Sequence, residues 1–430
     1  MILRFCVAAL LLLPAAAFAQ GDPGPFGGLF GRTPERTGNE FTAIDFRSAF
    51  AAQYDDALLV DESLPEDDVP RSGYTSGVNT GLVFERQSDR LLFRAQGGAT
   101  YQEYYRKPVF GATSYDASLL FLAEPATRFQ LQGQAGYRRS PYFQMVPGVP
   151  AFNSPVITPS DPYAVRLIRN QGYDVSGGFV SKYSKRSSLT VTATHREDRY
   201  GDTGANTFGF LGMEARWRRQ MSRSFAVHAA YGLERHRHSS LADDLFLYET
   251  VDIGVDFNRQ LSVSRRTTLG FSTDTSAIKR PLTGRRYRVN GNVTLTTHFG
   301  RTWRASAGVR RHTELLPGFF EPLFSDEVTG EVGGMFSKRA DWMTTISAGK
   351  GWFGFDNNGR YATGHTLSRL NLAITRRLGL FAEYSIYYHK LPPTPTAFVM
   401  PGQLSRQAFA VGFNTWIPIL NKVRAPRDPE

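Results

Sequence analysis

The feature that most constrains how this chain can fold is a two-residue alternation sustained over long stretches. In 129–139, Phe129, Leu131, Gly133, Ala135 and Tyr137 share one phase, while Gln130, Gln132, Gln134, Gly136 and Arg138 share the other. Successive side chains of a strand point to opposite faces, so one face is apolar and the other polar. The pattern returns in Leu91, Phe93, Ala95, Gly97, Ala99 and Tyr101 against Arg94, Gln96, Gly98, Thr100 and Gln102. It returns again in Tyr287, Val289, Gly291, Val293 and Leu295 against Arg288, Asn290, Asn292, Thr294 and Thr296. The apolar phase needs an apolar neighbour, and the polar phase is wet.

Eighteen such strands are predicted between 41 and 417, among them 172–183, 366–376 and 405–417. Each holds roughly 10 to 13 residues, which is what a tilted strand needs to cross a bilayer and about twice a soluble strand. An even count suits a closed antiparallel ring. Composition agrees: 41 glycines and 13% aromatic residues favour strands and turns over helices. Mean hydropathy is −0.31, and beyond residue 20 no run approaches the roughly 18 apolar residues of a membrane helix. Any membrane span here is a strand.

The first residues read differently. Arg4, the apolar run Phe5–Leu13 and the small-residue stretch ending Ala17-Phe18-Ala19 have the order of a secretory signal, predicted to span 1–19. That segment holds the only cysteine, Cys6, so the exported part has no thiol, disulfide or thiolate metal site. Its only charge is Arg4, so its removal takes the net charge from +11 to +10. Residues 20–40, rich in Gly and Pro, read as a flexible periplasmic lead. The barrel is expected over 41–420 and a polar periplasmic tail over 421–430.

Connections between the predicted strands alternate between short and long, as a membrane barrel's turns and loops do. The short set includes 87–90, 124–128, 184–187, 219–223, 258–266, 300–302, 337–340 and 377–378; the long set includes 55–73, 140–171, 278–286 and 353–365. Both termini then fall on the short-turn, periplasmic side. Aromatic residues in the apolar phase gather near both strand ends. Trp217, Phe257, Trp303 and Trp342 lie towards the short turns, and Tyr101 and Tyr137 towards the long loops. Amphipathic rings favour headgroup depth, so two belts are expected.

The short turns are basic, as in Lys185-Arg-Ser-Ser-Leu189 and Ser337-Lys-Arg-Ala-Asp-Trp342. Such a rim either pairs with lipid phosphates or a periplasmic partner, or simply keeps the turns soluble. Nucleic acid is not an expected partner, because the charges are spread over many turns. Loop 55–73 is acidic, with Asp55, Asp56, Asp61, Glu62, Glu66, Asp67 and Asp68. Loop 140–171 carries Tyr142, Phe143, Met145 and Phe152 among six prolines. It either folds into the barrel mouth as a constriction or packs on neighbouring loops.

The polar phase places Arg94, Arg138, Arg288, Arg304, Arg310 and Arg369 in the lumen with Asp116, Asp252, Asp256, Glu331 and Glu383. Opposite charges there either brace the wall or set a field along a pore, and the mixture predicts weak ion selectivity. No HExxH, GxSxG or phosphate-binding loop is present. His236 and His238, at spacing two, read as loop residues more readily than as a metal pair. No catalytic residue, cofactor or metal is expected.

In this organisation the chain resembles the outer-membrane β-barrel proteins of Gram-negative bacteria. Its Arg-Ser turn theme is similar to that of β-barrel porin families associated with exopolysaccharide systems. The resemblance covers 41–417 and implies outer-membrane lipid, lipopolysaccharide and the assembly machinery as partners. Many such barrels end in an aromatic residue read by that machinery, whereas here a polar tail follows Trp416-Ile417, so an internal signal is expected there. The combined expectation is an all-β, transmembrane, antiparallel up-and-down barrel of about eighteen strands. It would work as a passive diffusion or export channel for hydrophilic solutes, polysaccharide among them. A plugged barrel serving as a docking platform, or an outer-membrane hydrolase, are the alternatives.

Overall fold

In the computed structural model the described residues are 40–57, 72–105, 112–144, 164–201, 206–238, 246–261, 264–280, 284–300, 302–314, 322–354, 359–392 and 402–424. They form eighteen strands in one sheet. These are β1 (Glu40–Asp55), β2 (Gly73–Ser88), β3 (Leu91–Tyr104), β4 (Ala112–Ala126), β5 (Phe129–Gln144) and β6 (Ala164–Lys182). Next come β7 (Ser187–Tyr200), β8 (Asn206–Gln220), β9 (Phe225–His238), β10 (Phe246–Leu261), β11 (Ser264–Arg280) and β12 (Gly284–Phe299). The last six are β13 (Trp303–Glu314), β14 (Leu323–Ser337), β15 (Ala340–Phe353), β16 (Gly359–Ala373), β17 (Leu378–Lys390) and β18 (Gln403–Arg424).

Every strand pairs antiparallel with its neighbours in sequence. The ring closes where β1 meets β18, from Glu40 opposite Arg424 to Asp55 opposite Ala408. Closure satisfies both edges of every strand, which a backbone in lipid requires. Strands spaced about 4.8 Å apart and tilted about 40° put eighteen of them on a circle of roughly 18 Å radius. That leaves room for a lumen.

Connections at one end of the ring hold two to four residues and those at the other hold three to nineteen. β1 begins and β18 ends at the short-turn end. Gly300, in the turn before β13, adopts φ 65°, a left-handed conformation that disfavours any side chain. Among the described residues no helix is long and apolar enough to cross a membrane.

The expected strand count holds, but several strands are longer than alternation alone indicated. β6 begins at Ala164 and β16 at Gly359, inside stretches expected to be loop. Ile278, Lys279 and Arg280 pair with Arg286, Arg285 and Gly284, so the expected loop 278–286 shrinks to three residues. β18 continues past the expected barrel end at 420, because Asn421–Arg424 pair with Ala43–Glu40. At these ends the backbone ladder continues after the apolar alternation has stopped. Hydrogen bonding sets the element's length at Asn421–Arg424, while at the start of β16 the inward Tyr361, Thr363 and His365 are buried as well.

Candidate functional site

The lumen is the candidate site, and period two determines which residues line it. The opposite phase supplies the outer wall: Leu82, Leu119, Met213, Ile253, Val293, Val328 and Ile346 are all exposed large apolar residues. A surface like this is stable only against lipid or another apolar layer. Rings cap it at both ends. Towards the short turns, Phe257 stacks on Phe271 at 5.0 Å, and Trp303 lies 5.9 Å from Phe299, 5.1 Å from Phe336 and 6.0 Å from Trp342. Trp217 donates its indole N–H to the Tyr183 hydroxyl. Towards the long loops, Tyr137 meets Tyr173 at 5.3 Å, and Tyr101 is exposed with Tyr115 and Tyr231.

Inside, carboxylates and cations form cross-strand pairs whose register the sequence alone could not supply. Arg369 on β16 meets Glu383 on β17 at 3.1 Å, both nearly fully buried. The Arg369 guanidinium also lies 4.4 Å from the Phe381 ring. Arg310 on β13 meets Glu327 on β14 at 3.0 Å, and Glu327 also faces His312 at 3.3 Å. Arg304 bonds Glu331 at 2.6 Å. Asp252 and Asp256 on β10 flank the buried His228 at 3.4 Å each, with Arg216 3.9 Å from Asp252 and Arg218 3.1 Å from Asp256. Arg138 reaches Asp198 at 3.7 Å, and Asp198 is also held by Arg196 at 2.6 Å.

Arg94 and Asp116 occupy the inward phase of β3 and β4. The Asp116 carboxylate lies so near Gly98 that a Cβ there would sit 2.9 Å from it. Arg288 is placed differently from the others. The β12–β13 pairing runs only as far as Gly291 opposite Arg311, and beyond it the Arg288 guanidinium packs 5.0 and 4.9 Å from the Phe324 and Trp352 rings. It bonds Asp326 at 3.3 Å, a carboxylate that Arg311 also holds.

Partners not singled out from the sequence are Asp198, Arg196, Arg218, Glu327, His312 and Arg406. All share the inward parity of their strands, and parity was the signal available. Asp55, expected in an acidic loop, is instead the last residue of β1, buried and bonded by Arg406 Nε at 2.9 Å. Tyr142 and Phe143, expected in the constriction loop, are strand residues opposite Leu167 and Arg166. Met145 and Phe152 lie outside the described residues, as do Asp61, Glu62, Glu66, Asp67 and Asp68. Among the described residues no group of His, Cys, Asp and Glu is arranged to hold a metal ion.

The two halves of the lumen wall differ. From β15 through β18 to β2 the mid-strand inward side chains are packed out of solvent, with Thr345, Arg369, Glu383, Ala410, Ala49 and Asn79 all buried. From β3 to β13 the mid-strand inward residues Gln96 and Thr294 are exposed. One side of the lumen is a dense brace, and the other is mixed: Gln96, Asp116 and Thr294 are open to water, whereas Ser176 and Val180 on β6 and Ala226, His228 and Ala230 on β9 are buried.

An apolar belted exterior around a polar interior defines the class as a transmembrane β-barrel of the outer-membrane type. Among solved structures, OpdQ of Pseudomonas aeruginosa is 11% identical, covering 89% of this chain and 98% of that one with a TM-score of 0.46. OccAB4 of Acinetobacter baumannii is 10% identical over 89% and 100%, with a TM-score of 0.42. The FrpB iron transporter of Neisseria meningitidis is 8% identical over 87% and 81%, with a TM-score of 0.47. None of them lends this chain a substrate. No protein-family model matches the chain, and no curated protein does.

Proposed function

We propose that the chain is an outer-membrane channel for small hydrophilic solutes, inserted with its long loops outward and both termini in the periplasm. The observation that carries this reading is the set of water-exposed polar stretches of the inner wall on β3, β4 and β12, where Gln96, Asp116 and Thr294 stay exposed at mid-strand. A barrel filled by its own side chains would bury such residues. The amides and hydroxyls of Gln130, Gln132 and Gln134 on β5, Thr190, Thr192 and Thr194 on β7, and Asn292 and Thr296 on β12 share that wall. They exchange hydrogen bonds with water and with neutral polyhydroxy solutes on similar terms, which favours uncharged hydrophilic cargo, polysaccharide included.

The test is single-channel conductance of the folded, purified chain in a planar bilayer under a salt gradient. Discrete steps with a small reversal potential are expected, because the lumen charges are matched in sign. No conductance from protein shown to be folded would overturn the channel reading. A docking platform would then be favoured by the exposed cations of the short turns, and recovery of a periplasmic partner on those turns would establish it.

A further inference from the structure

Above the tyrosine belt at the long-loop end, the outward phase of β5 to β9 changes from apolar to cationic. Arg139 on β5 is two residues beyond Tyr137, and Arg199 on β7 has its guanidinium 5.9 Å from the Tyr173 ring. Arg235 and Arg237 on β9 follow Tyr231 and Leu233 in the same phase. All four arginines are exposed. Gln171 on β6 lies between Arg139 and Arg199 in register and donates to the Tyr173 hydroxyl at 2.6 Å and the Tyr137 hydroxyl at 3.4 Å.

Two carboxylates share this outward stretch. Glu197 is bonded by Arg199 at 2.6 Å, and Glu249 on β10 is opposite Leu233. No described carboxylate pairs with Arg139, Arg235 or Arg237. The patch is therefore net positive. Below it the wall is Leu131, Val175, Leu211 and Met213, all exposed and all in the same phase.

We propose that this sector is a binding site for a phosphorylated glycolipid of the leaflet on the long-loop side, phosphates on the arginines and acyl chains on the apolar wall beneath. The inference rests on the membrane placement proposed above. Guanidinium groups bind phosphate through paired, charge-assisted hydrogen bonds, and a belt tyrosine marks headgroup depth beside them. A free phosphate would gain the first interaction and not the second, so the geometry commits the site to a lipid.

The test uses the full folded chain in detergent and reads lipid retention by native mass spectrometry, with bis-phosphorylated lipid A and chemically dephosphorylated lipid A as probes. The expected result is selective retention of the phosphorylated form, with inorganic phosphate at the same concentration failing to displace it. R139A/R199A/R235A/R237A should weaken retention by roughly ten-fold or more, since one charge-assisted hydrogen bond is worth about that factor. If that variant does not fold, the corresponding four-lysine variant carries the test. It keeps the charge, loses the paired geometry and should show an intermediate loss.

Equal retention of both lipid forms, displacement by inorganic phosphate, or unchanged retention in the variants would overturn the site. Insertion into lipid vesicles is measured in parallel. A folded chain that does not insert overturns the membrane placement and the site with it. A chain that inserts without discriminating the two lipids overturns the site alone.

Discussion

Arg369 and Glu383 show what a charge inside the wall does to stability. Their side chains are 3% and 7% exposed, so each has given up most of its hydration, and they form an ion pair at 3.1 Å. Removing Arg369 leaves the Glu383 carboxylate buried without its cation. Arg369→Ala is expected to cost about 3 to 5 kcal/mol, whereas R369M/E383L, which removes both charges, should recover most of that loss. Urea unfolding of the refolded barrel measures both, and a single substitution costing no more than the double would refute the pairing. The inward phase of both residues was legible from alternation, because parity needs only counting along one strand. That they meet was not legible, because it depends on register between strands. The same limit kept Asp55 from being matched to Arg406, 351 positions away.

At the scale of the element, the β1–β18 seam carries the most sequence-distant pairing. Its glycine, Gly412, lies under the Phe381 ring and against the Phe50 backbone, with its Cβ position 2.7 Å from the Phe381 ring edge and 2.0 Å from the Phe50 carbonyl. Gly412→Ala therefore has to move backbone as well as a ring. The expected result is a barrel that unfolds at lower temperature on a heat-shifted gel, and an unchanged midpoint would contradict it. Phe413, beside it, faces outward and stacks on Phe50 at 5.5 Å, while Trp416 faces inward and is buried. We propose that this terminal stretch is the internal assembly signal, and F413A/W416A should then lose outer-membrane insertion in cells while the purified chain still refolds in detergent. Normal insertion would remove the proposal. Mid-strand segments were legible because lipid and water impose opposite polarity on alternate residues. Strand ends such as Ala164–Asn170 and Asn421–Arg424 were not, since outside the bilayer no such contrast is imposed, and Gly359–His365 was not because its buried phase includes the polar Thr363 and His365.

For the whole molecule, the net charge of +11 has a location. Lumen cations are matched by carboxylates, but the short turns expose Lys185, Arg186, Arg223, Lys338, Arg339, Arg376 and Arg377 with few acids among them. The pore is thus close to neutral inside and positive at one mouth. Such a mouth concentrates anions locally without making the lumen selective. Its field reaches as far as the screening length, roughly 30 Å at 0.01 M salt and roughly 3 Å at 1 M. Current should therefore rectify at low salt, larger when anions enter from the short-turn side, and become symmetric at high salt. Replacing Lys185, Arg186, Lys338, Arg339, Arg376 and Arg377 by Gln should abolish the rectification while leaving the high-salt conductance unchanged, since none of the six lines the lumen. Rectification that persisted at 1 M, or survived the six substitutions, would move its origin from the turns to the lumen wall.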